Sequence, residues 1–156
     1  MLACDRDHVR PDIICLGKAL SGGTMPVSAI LADDAVMLTI LPGEHGSTYG
    51  GNPLACRVAR ESLQVLIDEK MGENAERQGI KFRDEVSRFN LPILETVRGQ
   101  GLLNSIVIED HSPDLHRAWD VCIKFAEFGL ITKPTHGNII RLAPPLVIND
   151  QEVRMN

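Results

Sequence analysis

Three places in the chain bring together residue types that can do chemistry. Lys18 follows the apolar run Asp12-Ile13-Ile14-Cys15-Leu16 and stands between Gly17 and the small residues Ala19, Ser21, Gly22 and Gly23. A primary amine set among small residues at a strand end can be partly stripped of water. That favours its neutral, nucleophilic form and suits condensation with a carbonyl. A solvated lysine at a strand end is the plain alternative. The loop from Pro42 to Pro53 holds Gly43, Gly46, Gly50 and Gly51 beside the hydroxyls of Ser47 and Thr48. Such a loop lets backbone N–H groups approach a phosphate, and the helix that follows offers its positive end. It is not a P-loop, because no Gly-Lys-Ser/Thr ends it, and an ordinary surface loop has the same composition. Arg141 lies inside the apolar stretch Asn138-Ile139-Ile140-Arg141-Leu142-Ala143. Its planar guanidinium could hold a substrate carboxylate in two parallel hydrogen bonds, or pair with an Asp or Glu of the same fold. His45 and His136 have no arranged partner in the sequence and read as structural.

These residues need elements to position them. The run Asp12 to Leu16 reads as a strand buried on both faces, as in a parallel sheet, and Pro26 to Ala32 as a second extended segment. Asp33-Asp34 can cap a short helix through Leu38. Apolar spacing predicts helices over Leu54 to Lys70 and Gly72 to Phe89, with Pro53 at the first turn of the former. The stretch Thr96 to Glu109 turns extended around Gly99 and Gly101, with a strand at Leu102 to Ile108. A third helix is expected from Asp114, its core stripe being Leu115, Ala118, Trp119, Cys122, Ile123 and Ala126, stopped by Gly129. Short strands are expected near Leu130 to Lys133 and Asn138 to Leu142. Asn149-Asp150 then caps one more helix.

Composition narrows the function classes. With 16 Lys and Arg against 21 Asp and Glu the formal charge is -5, which disfavours a polybasic nucleic-acid or anionic-membrane binder. No apolar run approaches the roughly 20 residues of a membrane span, so a soluble protein is expected. The cysteines, Cys4, Cys15, Cys56 and Cys122, show neither metal-ligand spacing nor a disulfide pattern. The N-terminal residues carry charges where a signal peptide needs its apolar core. A last capped helix of under two turns, and a buried strand short of neighbours, give the expectation of an internal piece of a larger protein, cut at both ends.

Taken in order, the motifs are specific. Arg10-Pro-Asp-Ile-Ile-Cys-Leu-Gly-Lys-Ala-Leu-Ser-Gly-Gly, then Pro26-Val-Ser-Ala, Gly46-Ser-Thr-Tyr-Gly-Gly-Asn-Pro-Leu-Ala and Ile140-Arg-Leu-Ala-Pro-Pro-Leu strongly resemble the class III pyridoxal-phosphate aminotransferases. Within that family, Pro42-Gly-Glu-His-Gly-Ser-Thr-Tyr and Lys133-Pro-Thr-His-Gly-Asn-Ile-Ile-Arg are similar to the members that act on ornithine. The resemblance covers nearly the whole chain. It implies an α/β protein of pyridoxal-phosphate-dependent transferase fold type I. Residues 1–70 would be the C-terminal part of the cofactor-binding large domain, and 71–156 a small α+β C-terminal domain truncated in its last helix.

The resemblance also implies roles. Lys18 would be the cofactor lysine and proton shuttle. Thr48, with Ser47 beside it, would reach the cofactor phosphate of the other subunit of a homodimer. Arg141 would bind the substrate carboxylate, chiefly that of 2-oxoglutarate. The implied reaction moves the δ-amino group of L-ornithine to 2-oxoglutarate, giving glutamate 5-semialdehyde and glutamate. Another class III activity, on acetylornithine or 4-aminobutyrate, and a non-catalytic truncated remnant are the alternatives. The family's aspartate at the pyridine nitrogen lies farther upstream than this chain reaches, and Asp5, Asp7 and Asp12 are not it. No metal, nucleic acid or membrane is implied. The expected compartment is the mitochondrial matrix, or the cytoplasm for a bacterial or fungal source.

Overall fold

The computed structural model describes residues 2–111 and 116–154, and the chain divides into two compact units, Met1–Glu69 and Lys70–Asn156. In the first unit a short helix α1 (Ala3–Arg6) precedes strand β1 (Ile13–Leu16). β1 pairs antiparallel with β2 (Ala29–Ala32), placing Ile13 opposite Ala32 and Leu16 opposite Ala29. The pairing formed within this chain is therefore antiparallel, not the parallel one expected. Among the described residues β1 has one neighbour, antiparallel, and Ile13 is 52% exposed. An unbroken apolar run reports that both faces suit burial, but the direction of the neighbour depends on residues elsewhere in the chain.

Between the two strands the chain makes a 3-10 turn, Lys18–Ser21, closed by Gly22 in the left-handed region at φ 65°. Ser21 is fully buried, and its hydroxyl and the Met25 backbone form a tight local loop. A short helix α2 (Asp34–Met37) ends one residue before the expected Leu38. Helix α3 (Pro53–Asp68) follows the glycine loop, with Pro53 in its first turn as expected and Asn52 as its cap. It packs its small buried residues Ala55 and Ala59 inward and lies against the 3-10 turn.

The second unit begins where Lys70 adopts φ 50°, a left-handed conformation that ends the preceding helix and starts α4 (Met71–Arg88). The sheet has the order β3-β4-β6-β5 and is antiparallel throughout. The region expected to be one extended stretch is a hairpin, β3 (Leu94–Gln100) and β4 (Leu103–Ile108), reversed at Gly101 with φ 52°. The strand expected at Leu130 to Lys133 is instead β5, the pair Pro134–Thr135, and β6 covers Ile139–Leu142. β1 and the strand Leu103–Ile108 lie in separate sheets.

Ile106 and Ile108 of β4 and Ile140 and Leu142 of β6 form one buried cluster with Ala118 and Cys122 of α5 (Arg117–Glu127). Phe82 and Val86 of α4 and Val121 and Phe125 of α5 cover it. The expected helix start at Asp114 and the stripe residue Leu115 lie outside the described residues. Trp119 was expected in the core and is 53% exposed; Val121 and Phe125 take its place. Two helical phases fit the same apolar residues, and the phase that buries the small Ala118 and Cys122 brings α5 close to the sheet. The four cysteines are free; burial in this core pushes the Cys122 thiol up, whereas Cys15 and Cys56 are exposed. The last helix, α6 (Asp150–Val153), carries the expected cap, since Asn149 Oδ1 accepts the N–H groups of Gln151 and Glu152 at 2.9 and 3.1 Å. Among the described residues no helix is long and apolar enough to cross a membrane.

Candidate functional site

Lys18 opens the 3-10 turn directly after β1, with φ 53°. A non-glycine residue there costs of order 1–3 kcal/mol, which the surrounding packing must offset. The side chain is exposed, so the expected desolvation is not provided by this chain. Among the described residues its amine has no hydrogen bond and no ion pair.

Lys18 lines a cleft of about 490 Å³ within the first unit, together with Pro26, Val27, Ser28, Tyr49, Gly50, Gly51, Asn52 and Ala55. The fold thus brings the lysine, the segment before β2 and the end of the glycine loop to one place. The chemistry of this set suits a phosphate-bearing carbonyl compound. It offers an unengaged primary amine, the backbone of two glycines, and the N-terminal end of a helix of 16 residues.

Ser47 and Thr48 are exposed and do not line that cleft. Ser47 Oγ accepts the Gly50 N–H at 3.0 Å, which closes a turn with Thr48 inside it. A Cβ on Gly50 would come within 2.9 Å of Ser47 Cβ, so this turn needs glycine there. Asn52 stitches the loop to the helix. Its Oδ1 accepts the Ala55 N–H at 2.9 Å and its Nδ2 donates to the Tyr49 carbonyl at 2.9 Å. Sequence reasoning assigned no role to Ser28 or Asn52, although the Asn-Pro pair at a helix start marks Asn52 as a cap.

Arg141 sits in the second unit on β6, between buried Ile140 and Leu142, and faces the other side of the sheet from them. Its register partner on β4 is Ser105. The guanidinium is exposed and has no acidic partner among the described residues, so the internal ion pair that was one of its two readings is not formed there. Thr132 Oγ1 donates to the Arg141 carbonyl at 2.8 Å, and both line a cleft of about 390 Å³. His45 and His136 are exposed, and His136 occupies the β5–β6 turn at φ 54°. Neither imidazole has a hydrogen-bond or ion-pair partner among the described residues.

Known proteins resemble this chain in sequence and in fold. The family model for aminotransferase class-III matches residues 1–155. The rat mitochondrial ornithine aminotransferase is 57% identical over 153 residues, 98% of this chain and 34% of that protein. The corresponding Drosophila melanogaster protein is 56% identical over 154 residues, 99% of this chain and 35% of its own. The chain therefore spans about a third of the length of these curated relatives. Among solved structures, an acetylornithine aminotransferase from Elizabethkingia anophelis is 54% identical at a TM-score of 0.91, covering 97% of this chain and 40% of that one. The ornithine aminotransferase of Toxoplasma gondii is 48% identical at a TM-score of 0.89, covering 98% and 36%. The α/β architecture is thus that of solved aminotransferases. A family match over residues 1–155, with relatives more than 50% identical over nearly all of the chain, places the chain in the class III aminotransferase family.

Proposed function

We propose that the protein containing this chain is a pyridoxal-phosphate-dependent aminotransferase that moves the δ-amino group of L-ornithine to 2-oxoglutarate, giving glutamate 5-semialdehyde and glutamate. The observation that carries the reading is the Lys18 amine, unengaged among the described residues, on a cleft completed by the backbone of Gly50 and Gly51. The Toxoplasma gondii ornithine aminotransferase crystallized with oxidized glutathione, 48% identical, has pyridoxal phosphate at its active site in partial occupancy, which supports the cofactor. When bound, pyridoxal phosphate supplies a reactive carbonyl and an electron sink.

The residues of this chain divide the remaining work. Lys18 would hold the cofactor through its amine and would carry the proton between the substrate carbon and cofactor C4′. Arg141 orients the α-carboxylate of 2-oxoglutarate with paired hydrogen bonds. Thr48 donates to the phosphate in the partner subunit. Ser47 stands beside it, its O–H still available because its oxygen serves Gly50 as acceptor. In this reading the unit Met1–Glu69 is the C-terminal part of the cofactor-binding domain and Lys70–Asn156 the small C-terminal domain. The protein is then a homodimer, consistent with Thr48 lying outside its own cleft. A mitochondrial location is supported by the names of the rat and fly relatives.

A second reading, acetylornithine as amino donor, is favoured by the Elizabethkingia anophelis structure. Substrate profiling of the full-length protein with ornithine, N-acetylornithine and 4-aminobutyrate, each with 2-oxoglutarate, decides between them. Preference for ornithine is expected, and preference for the acetylated donor would overturn the proposal. Full activity in a demonstrated monomer would refute the dimeric site.

A further inference from the structure

The backbone from Ser47 to Asn52 belongs to no helix or strand, so side-chain hydrogen bonds have to hold it. Two such turns interlock. Ser47 Oγ takes the Gly50 N–H, and Asn52 returns to the Tyr49 carbonyl with both its backbone N–H, at 3.3 Å, and its side-chain Nδ2, at 2.9 Å. The same amide caps α3 by accepting the Ala55 N–H at 2.9 Å. Its orientation is dictated by chemistry: the backbone N–H needs the amide oxygen, and the carbonyl needs the amide nitrogen. Asn52 is thus the one described side chain bonded both to the loop and to the first turn of the helix behind it. It also lines the cleft with Lys18.

We infer that Asn52 is a positioning residue that sets cofactor affinity, by clamping the loop presenting Thr48 to the rigid start of α3. The inference rests on the proposed role of Thr48 at the cofactor phosphate. A donor for a phosphate contributes most when its backbone is already held in place, because ordering the loop at the moment of binding would cost conformational entropy. The rival is that Asn52 is a helix cap and nothing more.

Substitutions separate the two, because serine caps a helix about as well as asparagine but cannot also span to the Tyr49 carbonyl. In the full-length protein, the apo form is titrated with pyridoxal phosphate by absorbance, and its thermal midpoint is measured separately. Asn52→Ser is expected to keep the wild-type melting midpoint and to weaken pyridoxal phosphate binding about tenfold, the weight of one good hydrogen bond. Asn52→Ala is expected to lose both affinity and melting temperature. Wild-type affinity in Asn52→Ser would overturn the inference and leave a cap alone. A melting loss in Asn52→Ser parallel to its affinity loss would overturn it too, since general loosening would explain both. Thr48→Val tests the underlying reading. Wild-type affinity there refutes the phosphate role and the inference with it, whereas weakened Thr48→Val beside normal Asn52→Ser sinks the inference only.

Discussion

Gly79 of α4 packs so close to Gly101, at the tip of the β3–β4 hairpin, that a Cβ on Gly79 would overlap the Gly101 carbonyl. Arg83, one turn along the helix, donates to that same carbonyl at 3.0 Å and to Asn104 Oδ1 at 2.7 Å. Helix propensity alone favours alanine over glycine by about 1 kcal/mol. Steric overlap with fixed backbone costs about 1–3 kcal/mol and should win. Gly79→Ala is therefore expected to destabilise the protein, and chemical denaturation measures it; a raised midpoint would show that the hairpin yields freely.

Lys18→Ala should remove covalent attachment of the cofactor and stop turnover. Borohydride treatment followed by peptide mass analysis is expected to place the label on the Lys18 peptide in wild type and to find none in the variant. A label at another lysine, with turnover intact, contradicts the assignment.

Arg141→Ala should leave the cofactor spectrum intact while raising KM for 2-oxoglutarate roughly 10- to 100-fold, the range for losing hydrogen bonds to a charged group. The guanidinium has no acidic partner among the described residues, so its removal strands no buried charge in this chain, and the melting temperature should hold. Unchanged KM with a lowered melting temperature would make the residue structural.

Asp150 anchors α6 to α4 through Lys81 at 3.0 Å and Arg77 at 3.2 Å. The hydrogen bond from Lys81 holds its carboxyl below the usual value of 3.8. A carboxylate with a depressed folded pKa stabilises above its unfolded pKa and loses that contribution as pH falls through the folded value. The melting difference between wild type and Asp150→Asn should thus be small but constant above about pH 5 and shrink below pH 3.8. A difference that grows on acidification contradicts the sign.

Much of this architecture is written locally. The Asn52-Pro53 pair and the apolar spacing behind it fix the start of α3, because capping and helical periodicity involve residues within a turn or two of each other. The same holds for Asn149 at α6. The motif around Lys18 and the apolar frame of Arg141 were also legible, since family motifs are local strings. Other features depended on partners remote in sequence. Composition could not show that β1 pairs antiparallel with β2, that the stretch after Leu94 folds back at Gly101, or that α5 turns Trp119 outward. Strand pairing and helix phase are settled by which faces meet in three dimensions, and several registers satisfy the same local pattern. The tertiary structure alone brought Lys18 and the Gly50–Asn52 backbone to one cleft and left Arg141 without an acidic partner among the described residues, because proximity between distant segments is a property of packing and not of any short stretch of chain.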